Sequence, residues 1–343
     1  MANQTQAGST LSGQNVLVTG ATGFVGSHLT RRLLDLGANV KVLARDTSDP
    51  EFLREVISKG AQVVRGTITD LAKVSEAADG VAYIFHIAAL FRQAKFSDSY
   101  YYDVNVEGTR NVLNAARAKG VTRVVHCSTN GVHSRIRNLP ADETEPYSPG
   151  DIYQETKCEG EKLARARFER GEVPGVVIRP AMIWGEGDRR ILKLFRGVAK
   201  RRFPIIGTGK TLTHWIYIED LVDAFLLAAQ VEKALGQVYI IAGREAVTLE
   251  HVVNTVAKVA GVKPLPFKIP VGPVKMLGSL VEMLYKPFGV EPPIYRRRVD
   301  FFTKSRAFNT TKAQRELGFS PRYGFEEELE RIYAWYLKEG WLA

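Results

Sequence analysis

Apolar residues in the first half of the chain alternate between short runs and helical stripes. The short runs predict buried strands at 16–18, 40–44, 62–65, 81–86, 123–127 and 175–178. Apolar positions three and four residues apart predict helices at 26–36, 50–59, 104–118 and 153–168. Repeated strand–helix units with short turns predict an α/β fold, a doubly wound parallel sheet covered on both faces.

After about residue 180 the alternation of strands and helices becomes less regular, and proline, glycine and basic residues become more frequent. Two helices and a strand are predicted there, at 220–230, 249–260 and 238–241. We expect residues 14–180 to form the sheet domain. Residues 181–343 should form mainly a smaller C-terminal substrate-binding lobe, with segments that return to the sheet. Residues 1–13 are polar and are predicted to be a disordered tail.

Composition narrows the class of protein. The chain has 343 residues, 45% of them hydrophobic, which is enough for a large core. No apolar run reaches the roughly 18 residues that a membrane-spanning helix needs, so no transmembrane segment is predicted. The two cysteines, Cys127 and Cys158, suit a reducing compartment and favour a cytoplasmic location. Scattered histidines without CxxC or HExxH spacing predict no metal site.

The formal net charge of +10 could attract an anionic partner. Its local clusters are Arg189–Arg190, Lys200–Arg202 and Arg296–Arg298. No nucleic-acid-binding motif accompanies them. We therefore expect a solvated basic surface with a few phosphate contacts and no nucleic-acid partner.

Three glycines separate the first strand from the first helix, in a G-x-x-G-x-x-G arrangement within Thr19–Gly26. Glycines permit a tight turn, a close approach to a pyrophosphate and close packing of the helix on the sheet. The helix N-terminus adds free N–H groups and partial positive charge. This strand–turn–helix context favours a Rossmann-type dinucleotide site over a purely structural turn. The candidate cofactor ligands are Gly20, Thr22, Gly23, Phe24, Val25 and Gly26.

The end of the second strand indicates which dinucleotide binds. Ala44 cannot bind the adenosine ribose as a carboxylate would, whereas Arg45 can pair with a 2′-phosphate. This favours NADP, with NAD as the alternative if Arg45 only stacks on adenine and Asp46 reaches the ribose. Asp70 and Leu71, after the third strand, are candidate adenine contacts. The alternative for Asp70 is a helix N-cap.

Tyr153 and Lys157 are four residues apart in a predicted helix and therefore share a face. A nearby ammonium stabilises a phenolate and lowers the pKa of a tyrosine from about 10. Tyr153 can then exchange a proton with a substrate hydroxyl, while Lys157 holds the nicotinamide ribose. A hydroxyl of Thr129 or Ser128, after the fifth strand, would fix the substrate oxygen.

Further motifs extend this pattern from Asn15 to about Leu337. They are His86–Ala89, Asn105–Thr109, Arg179–Pro180, Tyr217–Asp220 and Lys312–Phe319. With the glycine turn and the Tyr153/Lys157 pair, they make the chain resemble the extended short-chain dehydrogenase/reductase family, also called the NAD-dependent epimerase/dehydratase family.

The resemblance implies roles for several residues. Those matching Ala88 and Ala89 line the cofactor, and the one matching Asn105 supports the active-site strand. The segment after Arg179–Pro180 borders the nicotinamide end. Thr129 matches the catalytic Ser or Thr. Many relatives dimerise through helices that match those starting near Val104 and Tyr153, so a homodimer is expected.

The residues of several motifs also indicate which branch of the family the chain resembles. His133–Ser134 stands where sugar 4-epimerases carry Tyr-Gly. Arg179–Asp188 and Asp300–Thr303 resemble the 3β-hydroxysteroid dehydrogenase and dihydroflavonol reductase branch. This favours a secondary alcohol or ketone of an apolar small-molecule substrate. The alternative is a nucleotide-sugar epimerase or dehydratase, and the intact catalytic set argues against a binding module without activity.

Residues 271–298 form an apolar-rich stripe flanked by basic residues. The stripe predicts a helix packed on the substrate lobe, with contact to a membrane surface or a lipid substrate as the alternative. His214 and Trp215 either line the substrate site or serve in ordinary packing.

Overall fold

A seven-stranded parallel sheet forms the centre of the molecule. The computed structural model describes residues 10–91, 93, 95–274, 276, 281 and 301–342. The strands of the described chain are β1 (Asn15–Thr19), β2 (Asn39–Ala44), β3 (Gln62–Arg65), β4 (Tyr83–His86), β5 (Arg123–Cys127), β6 (Gly175–Pro180), β7 (Met182–Trp184), β8 (Ile205–Ile206), β9 (Leu212–Tyr217), β10 (Val238–Ile241), β11 (Ala246–Thr248) and β12 (Lys268–Ile269). The central order is β3-β2-β1-β4-β5-β6-β10, with every pair parallel. This confirms the predicted doubly wound α/β fold.

Helices cover both faces of the sheet. They are α1 (Phe24–Asp35), α2 (Pro50–Ser58), α3 (Leu71–Ala77), α4 (Asp98–Tyr102), α5 (Gly108–Ala118), α6 (Ile152–Glu169), α7 (Leu192–Ala199), α8 (Ile218–Gln230), α9 (Leu249–Val259), α10 (Thr311–Leu317) and α11 (Phe325–Lys338). Apolar side chains of α1, α2 and α8 pack on one face, and those of α3, α5 and α6 pack on the other. The strand order reverses between β1 and β4, and sheets of this type bind ligands at such a crevice.

The helix predicted at 104–118 begins earlier than its apolar pattern indicates. Ser97 caps the N-terminus of α4 by accepting a hydrogen bond of 3.3 Å from the Tyr100 N–H. A π-helical turn at Asp103–Glu107 then joins α4 to α5. Such turns add one residue to a helical turn and break the regular periodicity, so the pattern does not reveal the continuous helix.

A smaller lobe follows β6. It contains the three-stranded sheet β11-β9-β7, the pair β12-β8, and helices α7, α9 and α11. Trp184, Trp215 and Tyr336 belong to its apolar core. The strand β10 returns from this half of the chain to the central sheet, where it pairs with β6. The sequence pattern did not predict α3, α4, α7, α10, α11 or the small strands of the lobe.

The stripe predicted at 271–298 lies mostly outside the described residues, and so does the Arg296–Arg298 cluster. Among the helices of the described chain, none has the length and apolar character required to span a membrane.

Candidate active site

The turn between β1 and α1 leaves no room for side chains at two of its glycines. Gly20 has a φ of +74°, and a Cβ atom there would lie 2.6 Å from the backbone nitrogen of Ala88. A Cβ atom on Gly26 would lie 2.1 Å from the carbonyl oxygen of Gly20. Glycine at these positions therefore lets the turn approach the loop after β4 and lets α1 pack directly on the turn.

The N-terminus of α1 is arranged to receive an anion. Gly23 is its exposed N-cap and supplies no side-chain hydrogen bond, while Thr22, Phe24 and Val25 are half-buried around it. N–H groups in a first helical turn lack intrahelical acceptors, and the helix dipole adds positive charge. This fully described turn carries no acidic residue. The residues present therefore fit the diphosphate of a dinucleotide.

Two arginines lie side by side where β2 and β3 end. Arg45 follows β2 and Arg65 is the last residue of β3, and both are exposed, as is Asp46. The Arg65 Nη1 donates a hydrogen bond of 3.1 Å to the Arg45 carbonyl oxygen. Neither guanidinium forms an ion pair with a carboxylate of the described chain. Two neighbouring cations of this kind favour an anionic ligand.

Asp70 caps α3. One of its carboxylate oxygens accepts a hydrogen bond of 3.1 Å from the Lys73 N–H, which is the helix-capping role weighed from the sequence. Leu71, next to it, is 46% exposed. Asp70 and Leu71 thus lie at the N-terminus of α3, and their contact with adenine stays a prediction.

Asn105 connects the loop after β4 to the helix α6. Its Oδ1 accepts a hydrogen bond of 2.7 Å from the Leu90 N–H, and its Nδ2 donates to the Leu90 carbonyl at 3.2 Å and to Thr156 Oγ1 at 2.9 Å. Asn105 therefore holds the loop and the helix together, because the π turn that carries it packs against α6. Its support of the active-site strand stays a prediction. Ala88 is half-buried and Ala89 is exposed in the same loop.

A buried polar chain extends from Asn105 to the glycine turn. Thr109 Oγ1 donates to the Asn105 carbonyl at 2.8 Å, and His86 Nε2 lies 3.0 Å from the same hydroxyl. His86 Nδ1 lies 2.8 Å from Thr19 Oγ1, just before Gly20. Burial lowers the pKa of His86 to about 3, and Lys157 acts in the same direction. The imidazole is therefore neutral, and it links the glycine turn, through Thr19, to Thr109 on α5.

Tyr153 and Lys157 are both buried on α6. The Lys157 Nζ donates a hydrogen bond of 2.6 Å to the carbonyl of Cys127, the last residue of β5. Thr129 lies two residues further on and is half-buried, and its Oγ1 accepts a hydrogen bond of 3.0 Å from the Gly131 N–H. The end of β5 and the start of α6 thus bring the three predicted catalytic residues into one region.

Burial lowers the pKa of Lys157, opposed by the charges of Cys127 and Glu161. An ammonium in such a buried position interacts more strongly with a neighbouring phenolate than it would in water. The arrangement is therefore suited to proton exchange by Tyr153.

The side chain of Ser128 already has a carboxylate partner, and its role as the catalytic hydroxyl or as a cofactor contact stays a prediction. It is buried and donates a short hydrogen bond to Glu161. Glu161 lies one helical turn beyond Lys157 and forms a buried ion pair with Arg179 at the end of β6, with an N–O distance of 2.6 Å. Burial alone raises the pKa of Glu161, but Arg179, Ser128 and Tyr147 outweigh it, and the pKa lies below its ordinary value. This network joins β5, β6 and α6 behind the catalytic residues.

An apolar and largely aromatic wall surrounds Tyr153. Phe91 is 40% exposed, and its ring contacts that of Tyr153 edge to face with centroids 4.9 Å apart. The other members of the wall are Leu90, Phe96, Tyr100, Tyr101, Val104 and Ile152. The phenol ring of Tyr153 therefore packs among apolar and aromatic side chains.

Two further sequence candidates, His214 and Trp215, are held by packing contacts. His214 accepts a hydrogen bond from the Phe308 N–H and contacts the Gly243 carbonyl, and Trp215 stacks on Trp184 with centroids 4.4 Å apart. Both serve in packing. Pro180 is buried at the end of β6, with Ile241 as its register partner. No group of three potential metal ligands occurs within the described ranges.

Three residues of interest escaped the sequence patterns: Phe91, Arg65 and Glu161. Glu161 follows Lys157 by four residues, as Lys157 follows Tyr153. This spacing places Glu161 on the same face of the helix, so the sequence could have indicated it. Arg65 and Phe91 gain their positions only through strand pairing and loop packing, which the sequence does not display.

Known proteins resemble this chain over most of its length. A family model described as NAD dependent epimerase/dehydratase family matches residues 16–242. The chain is 31% identical to a 3 beta-hydroxysteroid dehydrogenase/Delta 5-->4-isomerase of Mycobacterium tuberculosis, over 94% of this chain and 90% of that protein. It is 30% identical to a 4-hydroxy-2-methyl-3-oxo-4-farnesyl-3,4-dihydroquinoline-1-oxide ketoreductase of Stigmatella aurantiaca, over 92% and 94%.

A solved structure resembles the whole fold. That of MoeE5 in complex with UDP-glucose and NAD has a TM-score of 0.74 and 26% sequence identity, and the match covers 95% of this chain and 99% of that chain.

Proposed function

The chain belongs to the NAD-dependent epimerase/dehydratase family, and from this premise we propose that it is an NADP-preferring oxidoreductase acting on a secondary alcohol or ketone of an apolar substrate. The nicotinamide cofactor, when bound, supplies or accepts the hydride. The observation that carries the proposal is the position of Tyr153, which lies in an apolar wall and on the same helix face as the buried Lys157.

The proposal gives each catalytic residue one task. Tyr153 exchanges a proton with the substrate oxygen, because its phenol shares a helix face with a buried cation. Lys157 is held by the Cys127 carbonyl and maintains that charge beside the phenol. Thr129 donates a hydrogen bond to the substrate oxygen. The glycine turn of β1 and α1 holds the cofactor diphosphate.

Two lines of evidence support an apolar substrate. Phe91 and the wall around Tyr153 offer carbon surface where a substrate would lie. In addition, the names of the two relatives are those of enzymes for a hydroxysteroid and a farnesylated ketone. Two arginines of the described chain could neutralise the diphosphate of a sugar nucleotide, but both have other neighbours. Arg189 lies over the ring of Trp341 at 4.8 Å, and Arg190 lies against Phe24 at the glycine turn, where we propose that the cofactor binds.

The preference for NADP rests on Arg45 and Arg65. These exposed side chains lie at neighbouring strand ends, and Arg65 is the register partner of Ala44. A 2′-phosphate at this edge of the sheet would meet both cations. NAD is the alternative, with Asp46 on the ribose and Arg45 stacked on adenine. Asp70 and Leu71 complete the proposed adenosine site.

The proposal also covers the domain organisation, the cellular location and the oligomeric state of the protein. Residues 14–180 are proposed to hold the cofactor and the catalytic residues, and residues 181–343 most of the substrate contacts. The free, buried Cys127 and Cys158 support a reducing compartment such as the cytoplasm. A homodimer is proposed through the helices that start near Val104 and Tyr153, and sedimentation analysis would test it.

A nucleotide-sugar epimerase is the second candidate, favoured by the similarity to a structure that contains UDP-glucose and NAD. The decisive experiment incubates the purified protein with NADPH or NADH and a panel of apolar ketones, and with NADP or NAD and 3β-hydroxysteroids. Net change in the absorbance of the reduced cofactor supports the proposal. Conversion of UDP-glucose to another sugar nucleotide without net cofactor change would replace it with the epimerase. Tyr153→Phe is the control for either activity.

A further inference from the structure

Arg190 lies between the N-terminus of α1 and the catalytic region. Its guanidinium carbon is 5.1 Å from the ring centroid of Phe24 and 5.8 Å from that of Phe91. Phe24 is the first residue of α1, and Phe91 contacts Tyr153. The cation therefore lies between the first residue of α1 and the aromatic ring that contacts Tyr153, although it belongs to the second half of the chain.

The segment that carries Arg190 is attached to α1 by other contacts as well. His28, on α1, has its Nε2 3.0 Å from the Glu186 carbonyl oxygen and its Nδ1 2.8 Å from a carboxylate oxygen of Glu219. Tyr217 donates a hydrogen bond of 2.6 Å to the Glu186 carboxylate. Residues 186–190 are thus fixed over the start of α1 independently of the arginine side chain.

Asp188 orients the guanidinium. Its two carboxylate oxygens accept hydrogen bonds of 2.8 Å from Nε and Nη2 of Arg190, and Nη2 also donates to the Ile183 carbonyl at 3.0 Å. The Asp188 side chain is 1% exposed, whereas that of Arg190 is 41% exposed. The acid therefore lies beneath the arginine and fixes its plane, and the accessible part of the pair is the cation. A guanidinium held in this way is pre-organised for a phosphate.

We propose that Arg190 is a cofactor-binding residue that contacts the diphosphate opposite the N–H groups of α1. The inference rests on the proposed function, since it requires a dinucleotide bound between the glycine turn and Tyr153. It assigns the second half of the chain a direct part in holding the cofactor: the glycine turn binds the diphosphate from one side and Arg190 closes on it from the other.

The competing explanation is that Arg190 only neutralises the buried Asp188. Removing the arginine alone would leave an unpaired buried carboxylate and destabilise the loop. The double variant Asp188→Asn/Arg190→Ala removes both charges together, and the Asn oxygen can still accept from the backbone N–H of residue 190, which bonds to Asp188 at 2.8 Å. The matched control is Arg189→Ala, since Arg189 stacks on Trp341 instead of Phe24.

The experiment measures binding and not turnover. Calorimetric titrations with NADPH, with 2′-phospho-ADP-ribose and with 2′-AMP would be made on the wild type, Arg190→Ala, the double variant and the control. Only the first two ligands contain the diphosphate. We expect Arg190→Ala and the double variant to weaken these two about tenfold or more. Binding of 2′-AMP and all binding by Arg189→Ala should stay within about twofold.

Each outcome decides between the explanations. If the double variant binds 2′-phospho-ADP-ribose as the wild type does, Arg190 has a structural role only and the inference is wrong. An equal loss for 2′-AMP would also overturn it, because the contact would not be to the diphosphate. Failure of the wild type to bind NADPH or NADH at all would instead refute the proposed function.

Discussion

We expect Glu328 to make the protein less stable as the pH rises through the neutral range. Its side chain lies in the first turn of α11, is almost fully buried, and accepts a hydrogen bond of 2.7 Å from the Trp184 Nε1. Burial raises the pKa of this carboxyl to about 8 from an ordinary value of 4.5, against the opposing effect of the Trp184 hydrogen bond. Asp220 raises it further.

The sign of the effect follows from proton linkage. Below about pH 4.5 the carboxyl is protonated in both the folded and the unfolded chain, so its titration does not change the free energy of unfolding. As the pH rises toward 8, the unfolded chain releases a proton that the folded chain retains. Each pH unit in this window removes about 1.4 kcal/mol of stability, which amounts to roughly 3–5 kcal/mol before the loss levels off.

Replacing Glu328 by Gln removes the titration and retains an acceptor for Trp184. Urea unfolding would be measured at about pH 5, 7 and 8.5 for the wild type, for Glu328→Gln and for Glu327→Gln, an exposed neighbour on the same helix. Glu328→Gln should change stability little near pH 5 and increase it by roughly 2–4 kcal/mol near pH 8.5. Parallel curves for the wild type and Glu328→Gln would show that Glu328 is ionised in the folded protein and refute the reasoning.

Three further outcomes concern the active site. Tyr153→Phe should lower turnover by about two to four orders of magnitude on a verified substrate and leave NADP binding, followed by fluorescence, nearly unchanged; near-normal turnover would remove Tyr153 from the chemistry. Arg45→Ala and Arg65→Ala should each weaken NADP by about tenfold or more, and NAD much less, since a charged phosphate contact contributes about 1.5–3 kcal/mol; equal losses in titrations with both cofactors would contradict a 2′-phosphate site. UDP should not inhibit reduction of an apolar ketone, and competitive inhibition at micromolar UDP, on the order of −8 kcal/mol of binding, would favour a nucleotide-sugar substrate.

The doubly wound parallel character of the central sheet could be predicted from the sequence, whereas the order of its strands came only from the structure. The early strands and helices follow one another in strand–helix units, whose crossover connections have a strong preferred handedness. The residues after β1, β4 and β5 therefore had to converge at the carboxyl edge. The structure confirms this fold and places the glycine turn, the Ala88 loop and Thr129 at that edge.

The C-terminal half was less predictable because its elements are short or stabilised by distant partners. Helix α11 carries three glutamates in its first turn, and its apolar positions are covered by residues from the rest of the lobe. The strands β7 and β11 are short, and both pair with β9 across large sequence separations. Local propensity gives little signal for such elements, since tertiary contacts determine whether they form.

The sequence by itself determined the features that depend on spacing along one element: the glycine turn, the pair Tyr153 and Lys157, and the arginine at the end of β2. Only the tertiary structure decided which side chains surround them. Ser128 is hydrogen-bonded to Glu161, and Arg190 is brought to Phe24 from more than 160 residues away along the chain. The reason is physical: backbone geometry and side-chain periodicity are local properties, whereas burial, charge pairing and ring contacts between distant segments exist only once the layers have packed.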